Sequence, residues 1–130
     1  MRIGVPILIL GFALSACATA TDPLPPAFDG AWDLTPAACA DPDGLSRLGI
    51  AGATLQYYEW GGNVLSARSD GDGPVRVVLD WWDTSDTDAN EQPITRRRTG
   101  ELTLSPDRST LQIVIDGEAT SYVRCPAAPR

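Results

Sequence analysis

The stretch that decides the fold is Thr110–Cys125, "TLQIVIDGEATSYVRC". Leu111, Ile113 and Ile115 fall on one side of an alternating run, and Asp116-Gly117 ends it. A second strand-like run, Glu118–Cys125, follows at once. Asp-Gly between two such runs is the strongest short hairpin signal in the chain, because a two-residue turn of the right twist needs positive φ at both central positions. Outward from this hairpin the grammar repeats. Thr95–Leu104 precedes the turn composition "SPDR", Val75–Trp82 follows "DGDGP", and Val64–Ser69 follows Gly61-Gly62-Asn63. Further upstream, Arg47–Ile50 and Thr54–Trp60 flank Ala51-Gly52-Ala53, and Phe28–Thr35 opens the series. No long stretch has helical period. About eight short strands, mostly meandering, predict an all-β domain: a small antiparallel barrel, with a two-sheet sandwich as the other arrangement.

Alternation assigns the faces. Val75, Val77, Leu79 and Trp81 share one parity; so do Leu102 with Leu104, Leu111 with Ile113 and Ile115, and Leu55 with Tyr57. These are the predicted core. Trp82 takes the face opposite Trp81, and Tyr58 and Trp60 the face opposite Tyr57, so Trp60 and Trp82 are expected together as an exposed aromatic patch at one rim. Glu59 shares the inward parity of Leu55 and Tyr57, and Arg96 and Arg98 that of Leu102. An inward carboxylate is costly unless paired. The expected arrangement is therefore an ion pair between Glu59 and Arg96 or Arg98 at the barrel mouth.

The amino terminus reads as an address. Met1-Arg2 precedes an apolar run, Ile3–Leu14, of about a dozen residues. A membrane-spanning helix needs ~20, whereas the core of a secretory signal is this short. The run ends in Leu14-Ser15-Ala16-Cys17, which resembles the lipobox of bacterial lipoproteins. The resemblance implies cleavage before Cys17, acylation of that cysteine and, with Ala18 rather than Asp next in line, an outer-membrane destination on the periplasmic face. The expected division is a signal peptide over 1–16, a lipidated Pro-rich tether over 17–27, the barrel over 28–126 and a short tail over 127–130. The frame formed by Trp32, Cys39 and a closing Tyr122-x-x-Cys125 resembles small Gram-negative lipoproteins with one β-barrel, and more distantly the periplasmic lysozyme- and protease-inhibitor barrels.

Cys39 and Cys125 are then the remaining thiols in an oxidising compartment, and a disulfide between them is expected; the alternative is two free thiols. In an up-and-down meander the two lie near opposite rims. The bridge therefore predicts that Pro36–Leu45 crosses the barrel or that the first strand pairs unconventionally.

The composition bounds the function. The 130 residues carry ten basic and seventeen acidic side chains, a net charge of −7. Such a surface repels nucleic-acid phosphates and anionic lipid. Every basic residue is Arg; there is no Lys and no His. That removes Ser-His-Asp and Cys-His chemistry, Ser-Lys dyads and Schiff bases, and leaves too few ligands for a zinc site. Nothing in the spacing of the carboxylates supports a glycosidase-type pair. Asp86, Asp88 and Asn90 match the start of a calcium loop, but Glu91 stands where Gly is needed and Arg97 where the closing Glu is needed. No metal or cofactor is expected. The sequence points to a non-enzymatic, lipid-anchored binding or inhibitor-like module, with a basic protein such as a lysozyme as a possible partner. Its alternatives are a lipocalin-like carrier of a small apolar ligand and an envelope structural protein.

Overall fold

The computed structural model describes residues 21–127. The predicted signal peptide, the first four residues of the predicted tether including Cys17, and residues 128–130 of the predicted tail lie outside the described residues. Eight strands run in order around a closed antiparallel barrel: β1 (Gly30–Asp33), β2 (Leu48–Ala51), β3 (Thr54–Gln56), β4 (Trp60–Ser69), β5 (Val75–Thr87), β6 (Pro93–Leu104), β7 (Thr110–Ile115) and β8 (Glu118–Arg124). β8 pairs back onto β1 through Trp32 opposite Arg124 and Asp33 opposite Val123. The β7–β8 hairpin has the predicted register, Ile115 opposite Glu118. Asp116 and Gly117 both take positive φ (50° and 86°), as a two-residue turn of this hand demands.

The predicted inward faces hold. Val75, Val77, Leu79, Trp81, Leu102, Leu111, Ile113, Leu55 and Tyr57 are buried, with Leu104 and Ile115 packed against them. Trp32, Leu48, Leu55, Val64, Leu79, Leu102 and Leu111 are all essentially inaccessible. An eight-stranded barrel is just wide enough for side chains to fill, and these fill it.

Several boundaries differ from the sequence reading. Gly61-Gly62-Asn63 is not a turn. It lies within β4, and the reversal comes earlier, at Tyr57–Trp60, where the Tyr57 N–H donates to the Trp60 carbonyl at 2.8 Å. The reason is steric. Gly61 stands opposite Trp82 and Gly62 opposite Trp81. A Cβ at Gly61 would sit 2.6 Å from both the Leu55 carbonyl oxygen and Trp82 Cζ2; one at Gly62 would sit 3.1 Å from Trp81 Cε3. The glycine pair makes room for a tryptophan on each face of the wall. Likewise β5 does not end at Trp82: Asp83–Thr87 continues it as half of a long hairpin. Asp86 pairs with Arg96, and Asp88 accepts from the Asn90 and Gln92 amides at its tip.

The amino-terminal side is attached earlier than expected. The Asp22 N–H donates to the Val64 carbonyl and the Leu24 N–H to that of Gly52, both at 3.0 Å. Leu24 and Phe28 are buried in the core cluster. Residues 22–27, read as tether, therefore close the lower end of the barrel, the rim that carries the 51–54, 69–75 and 104–110 connections.

Cys39 and Cys125 are bonded, with Cα atoms 5.3 Å apart. The expected conflict with a meander does not arise, because β1 has only four residues. The Cys125 N–H donates to the Ala31 carbonyl at 2.8 Å. Cys125 is thus level with the middle of β1, and the connection 34–47 need only fold back along the outside of that strand. By the chain-entropy estimate, a bridge across a separation of 86 residues contributes up to about 4–5 kcal/mol.

Candidate functional site

The upper rim carries the Tyr57–Trp60 turn, the long β5–β6 hairpin and the Asp116-Gly117 turn. Inside it, four aromatic rings from four places in the chain meet. Trp60 begins β4 on the inward parity, because the turn has reset the alternation. Its ring stacks on Tyr57 with centroids 3.9 Å apart and planes 3° from parallel. Trp81 of β5 lies 5.0 Å from Trp60 and 6.0 Å from Tyr57, tilted by about half a right angle to each. Tyr122 of β8 closes the group; its hydroxyl lies 3.1 Å from that of Tyr57. Tilted and offset rings of this kind suit the aromatic quadrupole. Exposure grades upward: Tyr57 and Tyr122 are 5% exposed, Trp81 9% and Trp60 36%.

The phenols are held neutral. Burial, helped by the neighbouring Tyr122, pushes Tyr57 well above the ordinary tyrosine range. Tyr122 is also raised, chiefly by burial and further by the Asp33 carboxylate, against the lowering effect of its bond to Tyr57. Deprotonation in a low-dielectric site has no compensating charge here. The mouth therefore offers ring faces and hydroxyls, not a base.

Arg98 borders this mouth. Its Cζ lies 5.9 Å from the centre of the Trp81 ring, and its Nη1 bonds the Asp116 carboxylate at 3.0 Å. The predicted ion pair does not form. Glu59 is exposed, Arg98 pairs with Asp116, and Arg96 pairs with Asp86. Glu59 occupies the turn itself, so the strand parity that directed it inward stops short of it. Its backbone carbonyl, not its carboxylate, engages the fold, accepting from the Thr84 N–H at 2.9 Å.

The predicted Trp60–Trp82 patch is also corrected. Trp60 stands opposite Asp83 and Trp82 opposite Gly61. Adjacent ladder positions face opposite sides. Trp60 therefore belongs to the mouth, while Trp82 lies half-buried on the outer wall over Gly61. Sequence reasoning missed the union of Tyr57, Trp60, Trp81 and Tyr122. Its one signal was the reciprocal pairing of Gly-Gly on one strand with Trp-Trp on the next.

A second buried polar group lies at the end of β1. Asp33 is fully buried; its Oδ1 accepts from Ser46 Oγ at 2.6 Å and from the Leu34 N–H at 2.9 Å, and its Oδ2 has no partner. Arg124 is satisfied differently. It donates to the carbonyls of Ala27, Asp29 and Arg108 while its guanidinium stacks 4.1 Å from the Trp32 ring centre. It thereby fastens the amino-terminal segment and the β6–β7 turn to β8.

No protein-family model, curated protein or solved structure matches this chain.

Proposed function

We propose that this protein is a non-catalytic binding module of the bacterial envelope, held at the outer membrane by lipid on Cys17, with its barrel mouth presented to a protein partner in the periplasm. The observation that carries the reading is the mouth. The interior is filled by side chains, and at the upper rim Trp60, stacked on Tyr57, stays partly exposed beside the more exposed Tyr58 of the same turn. Rigid, partly exposed aromatics recur at binding hot spots, because they offer a large contact area and lose little rotamer freedom. The filled interior leaves a small apolar ligand no internal seat, which weighs against a carrier. The acid-rich chain favours a basic partner by charge steering.

The test uses residues 17–130 with Cys17→Ser, which keep every contact described above. This protein is screened against a panel of lysozymes and periplasmic extract. Saturable binding to a basic protein, weakened tenfold or more by Trp60→Ala, is the expected result. Absence of any partner, or binding indifferent to Trp60, overturns the reading. The anchor is tested separately: palmitate labelling of the full precursor should be lost in Cys17→Ser.

A further inference from the structure

We infer that the barrel wall contains an open strand seat beside β8, and that it takes an extended, basic segment of a partner protein. This inference rests on the binding-module reading and names the place and chemistry of the contact.

The seat follows from the brevity of β1. The sequence carries strand character as far as Thr35, yet β1 stops at Asp33. Thr35 instead starts a turn: its Oγ1 accepts from the Ala38 N–H and its carbonyl from the Cys39 N–H. β8 is longer than its neighbour. It pairs with β7 over six positions, Glu118–Val123, but with β1 only through Val123 and Arg124. The direction of its free groups is fixed by two bonds. The Arg124 N–H donates to Ser109 on the β7 side and the Cys125 N–H to Ala31 on the β1 side. Alternate residues of an antiparallel strand point their amides to opposite neighbours. The N–H and C=O groups of Ala119 and Ser121 therefore face the side where β1 has already left. Among the described residues no strand or loop bonds them there, and residues 118–121 are all exposed.

Natural edges are blunted by Lys, Pro or a bulge. This one has no Lys, Pro or bulge, and a single charge, Glu118: Ala119, Thr120 and Ser121 are small, and the β7–β8 register is unbroken. Leu34, 48% exposed, leaves an apolar side chain beside the vacancy. Adding a strand would satisfy the free groups of Ala119 and Ser121, the mode by which extended peptides join sheet edges.

Charge selects the occupant. Glu118 and Tyr122 share a face of β8, the one turned to the mouth. Glu118, on the seat's own strand, is exposed and forms no ion pair among the described residues, while Arg98 is neutralised by Asp116 of the adjoining turn. The unpaired charge on the open stretch 118–121 is negative. An incoming strand thus fits best with a basic side chain opposite Glu118 and an apolar one opposite Tyr122.

The probe is a blocked hexapeptide, Val-Thr-Val-Thr-Arg-Thr, with its reversed sequence to cover both strand directions. It is added to the 17–130 protein with Cys17→Ser, and amide hydrogen exchange is followed by NMR. In the free protein the amides of Ala119 and Ser121 should exchange rapidly. One of the two peptides should protect both by tenfold or more and saturate. Ser121→Pro should abolish binding, because its N–H faces the empty seat and bonds nothing among the described residues. Glu118→Arg, an exposed substitution that leaves the ladder intact, should weaken binding by at least tenfold. Failure of both peptides to protect these amides overturns the inference, as does binding that ignores both variants. Protection in peptide-free protein that grows with concentration would assign the seat to a second copy and overturn the peptide occupant. A partner captured equally by wild type and Ser121→Pro would keep the binding module and remove the seat. A wild-type protein that captures no partner removes the module reading itself.

Discussion

Gly61→Ala tests the steric account of the Tyr57–Gly62 stretch. A Cβ at this position meets the Leu55 carbonyl oxygen and Trp82 Cζ2, each at 2.6 Å. The first is main chain of the neighbouring strand and cannot turn aside, so β3 and β4 must separate locally or Trp82 must leave its place. Overpacking of this kind costs about 1–3 kcal/mol. Replacing glycine removes unfolded-state freedom and offsets roughly 0.4–1 kcal/mol of that. The expected net loss is about 1–2 kcal/mol, and for a domain of this size each 1 kcal/mol lowers Tm by roughly 4–8 °C. Thermal unfolding followed by circular dichroism should therefore show a fall of about 4–16 °C, with altered Trp fluorescence. Gly62→Ala is the graded control. Its nearest neighbour is a Trp81 ring edge at 3.1 Å, which can yield by a few tenths of an ångström, so a smaller loss is expected. Were Gly61 part of an exposed turn with negative φ, alanine would be neutral or mildly stabilising. A Gly61→Ala protein as stable as wild type, or more so, refutes the wedge.

Reducing the Cys39–Cys125 bridge, or replacing both cysteines by serine, should lower unfolding free energy in urea by up to about 4–5 kcal/mol. Glu59→Gln should change stability by less than about 0.5 kcal/mol, because the carboxylate is exposed and unpaired among the described residues; a loss of several kcal/mol would revive the buried pair. Spectrophotometric titration should show Tyr57 and Tyr122 ionising above the ordinary tyrosine value. Since their folded pKa values are raised, this stability is fully present below pH 10 and is lost as pH climbs through the raised values, so the barrel should unfold at alkaline pH as they ionise. Asp107 accepts from Ser105 and Ser109 and is drawn down to about 2. Its contribution is present above the unfolded carboxylate value and fades as pH falls through about 2, which NMR titration of its side chain can follow.

The β7–β8 hairpin was legible because its causes are local: Asp116-Gly117 fixes the turn, and alternation then fixes the faces. The same held for Val75–Trp81, where one parity runs unbroken into the core. Legibility failed where a residue's meaning was set by a distant neighbour. Gly61-Gly62 has the composition of a turn, and only the arrival of Trp81 and Trp82 some twenty positions later makes it a strand. Misplacing that turn carried the parity past its end. It directed Glu59 inward toward Arg96 and Arg98, and paired Trp60 with Trp82 instead of Trp81. The burial of Leu24 in a proline-rich segment has no periodicity to reveal it; it depends on an open barrel end elsewhere in the chain. The disulfide was legible from the cysteine count and from the exported compartment that the leader implies, but its compatibility with a meander depended on the shortness of β1, which Leu34 and Thr35 concealed.

The placement of the bridge has a mechanical consequence. A chain drawn from its amino-terminal side first loads the bonds of Asp22 and Leu24 to β4 and the β2–β3 turn, then pulls Phe28 from the core and peels β1. There the peeling stops, because residues 39–125 form a covalent ring that contains seven of the eight strands. Tension can spool out the segment before Cys39 without passing into β2–β8. A module held by its amino terminus would thus lengthen its leash under load while the ring that carries Trp60, Trp81 and Tyr122 keeps its connectivity.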